Sequence, residues 1–195
     1  MSTQTIFALL AGVITIANKI PYLRDIFKRK TTPHSYSWLI WTLLQGTGVF
    51  VMLADGAGPG VVSLIASTVL CAVIFILSLR YGTKNITTFD TVCFVGALLA
   101  TGVWFFLHDA LLSILLVSAI DALAFLPTFR KSYVEPYSET PSMYLLAGVA
   151  EGFALLALTN FTVVTSFYLI SLVITNPLCA GIIWYRRAQL KNKAL

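Results

Sequence analysis

The chain predicts an all-α integral membrane protein: seven transmembrane helices forming two parallel three-helix bundles joined by an inverting fourth helix. Three observations carry this expectation: a composition that only lipid can solvate, seven apolar runs of spanning length, and an internal repeat. Of the 195 residues, 58% are hydrophobic and 11% are charged, and the mean hydropathy is +0.86. That leaves too little polar surface to cover a water-soluble globule of this size. A helix rising 1.5 Å per residue needs about 17–25 apolar residues to cross a hydrocarbon core about 30 Å thick. Runs of that order cover residues 5–27, 36–54, 60–79, 91–107, 110–129, 141–158 and 161–185. The first resembles a signal peptide in length, but its charges follow the apolar run and no small-residue cleavage site is evident, so it is read as retained.

The repeat is organised around residues 18–37, NKIPYLRDIFKRKTTPHSYS, which return in imperfect form at 123–142 as LAFLPTFRKSYVEPYSETPS. Each copy has a proline (Pro21, Pro127), an arginine three residues on (Arg24, Arg130), a basic, hydroxyl-rich loop and a fresh apolar run. Further along, SLIASTVLCAVIF (63–75) aligns without gaps on SLVITNPLCAGII (171–183). The displacement is 106 residues at the prolines (127 − 21) and 108 here (171 − 63), and so nearly constant an offset marks a duplicated unit. A three-helix unit starts on one side of the membrane and ends on the other, so a second copy in the same orientation needs one extra crossing, which span four supplies. The chain then divides into a first triplet (1–82), a linker helix (83–108), a second triplet (109–187) and a short basic tail (188–195). Asp90 is placed to favour the start of the linker helix.

Orientation follows from the basic residues. Lys19 aside, the lysines and arginines follow span one (Arg24, Lys28, Arg29, Lys30), span three (Arg80, Lys84), span five (Arg130, Lys131) and span seven (Arg186, Arg187, Lys191, Lys193). The opposite loops, 55–60, 108–109 and 159–160, contain neither. The positive-inside rule places these loops and the N-terminus outside and the C-terminus in the cytoplasm, in a plasma or bacterial inner membrane. The net charge of +5 is therefore a topology signal. With no stretch of base-reading or stacking groups beyond short juxtamembrane loops, no nucleic-acid partner is expected.

Ionisable groups inside the spans single out a site. Lys19, beside Asn18, lies about eight residues above the basic end, roughly 12 Å at helical rise. Its stem either bends to the interface or its ammonium meets a buried partner or solute. Asp121 and Glu151 fall near mid-span, where carboxylates are rare and face cavities or partners. Two acids and one ammonium from three helices converge if the bundles face each other. One acid balances Lys19, and the other, Asp121 or Glu151, is then free to carry a proton during a cycle; a static network holding the bundles together is the plainer alternative. Asn176 before Pro177 adds an amide at membrane depth, and Gln45, next to Gly46 and Gly48, is a mid-span polar group that must find a partner. Pro21 and Pro127 remove backbone donors and are the hinge candidates. Trp38 and Trp41 are expected at headgroup level as anchors, with a cavity-lining role for one of them as the alternative, His34 as a solvated loop residue, and Asp25 in an interfacial ion pair or as a gate element. Cys71, Cys93 and Cys179 lie within spans without metal-ligand or CxxC spacing, so neither a disulfide nor a metal is expected.

With Pro21, the basic stretch Arg24 to Lys30, Ser35 and Trp38 in a three-one-three helix pattern, the chain resembles the SWEET sugar transporters and the wider PQ-loop family. It departs from them where Tyr22 and Thr128 replace the glutamine that follows each proline. The resemblance implies a sugar-type site with an asparagine on the third helix of each unit; Asn176 matches, and Thr68 occupies the other place. Together these readings point to an alternating-access transporter of a small polar solute (a sugar, amino acid or similar metabolite), with proton coupling as an option. Lys19, Asn18, Gln45, Thr68, Asp121, Glu151 and Asn176 would contact the solute. A non-transporting receptor or accessory protein of the same fold is the alternative, and it would bind without flux. No cofactor is implied, association into a homo-oligomer stays open, and the lack of HExxH, paired histidines or a serine elbow argues against an enzyme.

Overall fold

The computed structural model describes residues 1–82 and 87–193. Lys84 and the side chains of Asp90, Cys93, Pro127 and Lys193 lie outside the described residues. Seven α-helices are formed: α1 Thr3–Phe27, α2 Ser35–Ala54, α3 Val62–Tyr81, α4 Thr88–Leu107, α5 Ala110–Val134, α6 Pro141–Leu156 and α7 Val163–Lys193. Short 3-10 turns precede α3 and α6, and no strand occurs among the described residues. Local chemistry sets the helix limits. Ser2 caps α1 by accepting from the Thr5 amide at 3.2 Å, and Asp109 caps α5 by accepting from the Leu112 amide at 2.8 Å. Both satisfy amides that a first turn leaves without partners. His34 is half-buried, not a solvated loop residue, and caps α2, its Nδ1 accepting from the Ser37 amide at 3.4 Å. After α2 the chain turns through Gly56 (φ 76°) and Gly58 (φ 63°), left-handed conformations in which a Cβ would be strained. The residues expected to form a separate tail from 188 continue α7 instead, since Ala-Gln-Leu-Lys are good helix formers and no Gly or Pro interrupts them.

Five segments are long and apolar enough to cross a membrane: Thr3–Phe27, Ser35–Ala54, Gly58–Tyr81, Ala110–Val134 and Val163–Asn192. Phe94–Leu107 and Pro141–Leu156 are shorter apolar helices. The distribution of polarity is inside out relative to a water-soluble protein. Ile20, Val69, Ile76, Leu99 and Ile174 are exposed, whereas Lys19, Gln45, Ser67, Asp121, Glu151 and Asn176 are buried. Acyl chains solvate such an exterior, and inside it every polar group must find a partner in the protein. The chain is an integral membrane protein.

Helix α3 packs against both α1 and α2, and α7 against both α5 and α6. Between these groups α1 lies along α6 and α2 along α5, while α4 rests on α2 and α5. One buried apolar cluster, including Met52, Val61, Ala154 and Leu158, fills the end that carries the Asp55 and Thr159 loops. A second, including Tyr22, Ile26, Trp38, Phe125 and Ile183, fills the basic end.

Two helices approach closely at Gly148 of α6, where an added Cβ would lie 2.5 Å from Cγ of Pro177 on α7. A rigid ring cannot yield as a flexible side chain can, so Gly148→Ala is expected to lower the thermal unfolding midpoint in detergent through an overpacking cost of about 1–3 kcal/mol. Gly152→Ala, whose Cβ would enter open space, should retain or raise the midpoint. Indistinguishable midpoints for the two variants would contradict this packing.

Candidate functional site

Each helix except α4 sends at least one side chain to a cavity of about 30 Å³. Lys19 comes from α1; Trp38, Trp41 and Gln45 from α2; Ser67 and Cys71 from α3; Asp121 and Phe125 from α5; Tyr144 and Glu151 from α6; and Asn176 from α7. The structure therefore brings together Lys19, Gln45, Asp121, Glu151 and Asn176. It does not bring in Asn18 or Thr68. Successive helical residues point about 100° apart, so with Lys19 facing the cavity its neighbour Asn18 faces elsewhere, buried with neither amide atom partnered by the protein. Thr68 donates to the Leu64 carbonyl of its own helix at 2.7 Å, and Ser67 takes the cavity position instead.

Lys19 is 6% exposed and does not bend out to the interface. Its Nζ stands 5.4 Å from the centroid of the Trp38 ring, within the range of a cation–π contact, and its charge acts on Glu151. Trp38 and Trp41, expected as headgroup anchors, are 2% and 5% exposed. They belong to a run of aromatic contacts that passes from Tyr22 to Trp38 (5.1 Å), Trp41 (5.2 Å), Phe125 (5.1 Å) and Phe129 (5.5 Å). A signal for this was present: Trp38, Trp41 and Gln45 recur at i, i+3 and i+7, one helix face, and a mid-span glutamine turns that face inward.

The carboxylates are held differently. Asp121 is fully buried; the Tyr168 hydroxyl donates to Oδ1 at 3.2 Å, while Oδ2 has no protein partner. Glu151 accepts at Oε2 from Ser63 Oγ at 2.9 Å, which ties α6 to α3. Gln45 Oε1 accepts from Cys71 Sγ at 3.8 Å, and Asn176 Nδ2 donates to the Leu172 carbonyl at 3.1 Å. At the proline offset of 106 residues, lining positions pair as Lys19 with Phe125, Trp38 with Tyr144, Trp41 with Ala147 and Gln45 with Glu151. Among the described residues no three His, Cys, Asp or Glu side chains gather as a metal site requires.

A larger chamber of about 510 Å³ lies on the basic side, within the usual size of small-molecule sites. Trp38, Trp41 and Tyr144 line both spaces and form the wall between them. The chain is tied across at both ends. On the basic side Lys131 Nζ donates to Glu139 Oε1 (2.8 Å) and the Thr32 carbonyl (2.9 Å), and Thr140 Oγ1 donates to Asp25 Oδ2 (3.3 Å). Asp25 is also ion-paired with Arg24 at 3.3 Å. The Tyr144 hydroxyl donates to Glu139 Oε2 at 3.1 Å, linking the wall to this cluster. At the other end Thr162 Oγ1 donates to Asp55 Oδ2 at 2.6 Å and the Thr159 amide to the Ala57 carbonyl at 3.1 Å. The ties from Lys131 to Thr32, Thr140 to Asp25, Thr162 to Asp55 and Thr159 to Ala57 join residues about a hundred positions apart, and only the Arg24–Asp25 pair was legible beforehand.

Comparison of the chain with protein-family models, with curated proteins and with solved structures finds no match.

The Tyr168 hydroxyl is the protein's donor to a buried carboxylate, so Tyr168→Phe should cost about 1–3 kcal/mol of stability, read as a lower unfolding midpoint in detergent. Thr68→Val, which removes a bond only to its own helix, should stay within about 0.5 kcal/mol of the parent. A Tyr168→Phe protein as stable as the parent would show that the bond to Asp121 contributes nothing.

Proposed function

We propose that the chain is an alternating-access transporter of a small polar solute, built as seven spans in two like-oriented triplets with the N-terminus outside and the C-terminus in the cytoplasm. One observation carries this reading. A small cavity lined by one ammonium and two carboxyl side chains shares Trp38, Trp41 and Tyr144 as a wall with a 510 Å³ chamber on the basic side. At about 30 Å³ the cavity itself has room for one or two waters, so a solute enters only when that wall moves.

The helix neighbourhoods support the arrangement. Exchanging α1, α2 and α3 for α5, α6 and α7 maps the α1–α6 contact onto α5–α2 and the α3–α6 contact onto α7–α2. That correspondence is what a pseudo-twofold axis along the membrane normal requires, with the ligand between the halves. The resemblance to SWEET and PQ-loop transporters favours the same architecture, although a sugar site of that kind would have Asn176 in the cavity and only Thr68, turned onto its own helix, in the second place.

In the cycle so read, the bonds from Thr162 to Asp55 and from Thr159 to Ala57 hold the outer end shut. Their release, with retention of the Lys131–Thr32 and Thr140–Asp25 ties at the basic end, opens that outer end. Pro21 lies within α1, and there and at Pro127 a helix bends without losing an amide bond, since none exists at that position. Two acids against one ammonium leave one negative charge in excess, and a proton on Asp121 or Glu151 neutralises it.

Uptake into proteoliposomes should depend on the pH gradient, and the Asp121→Asn, Glu151→Gln double variant should lose that dependence. Uptake indifferent to the gradient removes proton coupling, and no flux of any solute that binds decides for a receptor. Topology is testable separately. With the three native cysteines replaced, a cysteine at exposed position 161 should react with an impermeant maleimide on intact cells, and one at exposed position 30 only after permeabilisation. The reverse pattern would invert the orientation.

A further inference from the structure

We propose that the cavity recognises a zwitterion: a small solute with a carboxylate and a protonated primary or secondary amine a few bonds apart, as in a free α-amino acid. The proposal rests on reading this cavity as the solute site, and names the class of solute.

Three lining groups call for a ligand of that kind. The Trp41 Nε1–H is buried without an acceptor, and the Lys19 ammonium faces an aromatic ring and makes no hydrogen bond with a described residue. Asp121 Oδ2 is buried without a donor. The side chains that carry these two donors and this carboxyl acceptor all line a single cavity. A buried polar group without a partner is destabilising, more so when charged, and a ligand that serves all three removes most of that cost. A ligand carboxylate accepts from Lys19 Nζ and Trp41 Nε1, and a ligand ammonium donates to Asp121 Oδ2, both as charge-assisted bonds.

Other classes serve the site less well. A neutral polyol can form hydrogen bonds here but offers no charge to Lys19 or Asp121. A simple amine meets Asp121 but is repelled by Lys19, and a simple carboxylate does the reverse. A quaternary ammonium has no N–H to offer Asp121. Lys19 and Trp41 belong to the first half of the chain and Asp121 to the second, so a zwitterion bridges the halves and its binding draws them together. With Phe125 and Tyr144 also in the wall and little free space, the solute should carry a small or apolar side chain.

The test is a thermal-shift titration of the full detergent-purified chain with a panel of free α-amino acids. The best of these is then compared with its carboxamide, its N-acetyl derivative, glycine betaine and glucose. At least one free amino acid should raise the midpoint in a saturable way, and each charge-cancelled analogue should bind at least about ten-fold more weakly. Trp41→Phe, which retains a ring in the wall, should weaken binding about ten-fold, and Asp121→Asn should abolish it. If Asp121→Asn does not fold, the analogues and Trp41→Phe still decide. No shift with any amino acid, equal binding of the carboxamide and the N-acetyl derivative, or a shift with glucose alone overturns the proposal. Flux distinguishes the two readings: zwitterion binding without uptake refutes transport and leaves this inference standing, whereas glucose uptake without zwitterion binding does the opposite.

Discussion

Lys19 brings a full charge into the apolar length of α1, where insertion scales place the cost of a lysine at about 2.5–3.5 kcal/mol. The molecule meets that cost without letting the side chain escape to the interface. The face of Trp38 lies against the ammonium, and Glu151, fixed by Ser63, supplies opposite charge. Trp38 is on α2 and Glu151 on α6, so one cation engages three helices: α1 packs along α6, and its Lys19 and Tyr22 side chains reach across to Trp38. The close contact of Gly148 with Pro177 then holds α6 to α7, the helix that delivers Asn176 and, through Tyr168, the partner of Asp121.

Lipid accounts for the rest of the design. Outside, apolar side chains need no partners; inside, polar groups have only each other. The ionisable groups of the spans therefore gather in the middle, around the cavity, while the two ends are filled by apolar clusters and joined across by a few hydrogen bonds. In the aromatic wall the Tyr144 hydroxyl donates to Glu139, which ties the wall to the basic loop cluster.

Much of this was legible from composition and pattern. The apolar runs located most helices to within a few residues, although α5 runs to Val134 and α7 to Lys193, past the expected ends at 129 and 185, and Lys19, Asp121 and Glu151 stood out because ionisable groups inside such runs are costly. What failed was rotation about the helix axis. Asn18 was grouped with Lys19 by adjacency, although neighbours on a helix face different ways. Thr68 was promoted by its alignment with Asn176, and alignment fixes position along a helix but not which side faces inward. Trp38 and Trp41 were assigned to the interface because tryptophans near a helix start usually sit there, yet their spacing with Gln45 already placed all three on one face. The ties from Lys131 to Thr32 and from Thr140 to Asp25 depend on tertiary contact between residues about a hundred positions apart, which no local pattern records.

The contact between Lys19 and Trp38 has an optical consequence. An indole's emission responds to the electric field across its ring, and here a cation lies 5.4 Å from the ring centroid. An occupant that draws the ammonium off the ring would alter the emission of that tryptophan. The small cavity would thus carry its own label-free indicator of whether it is filled.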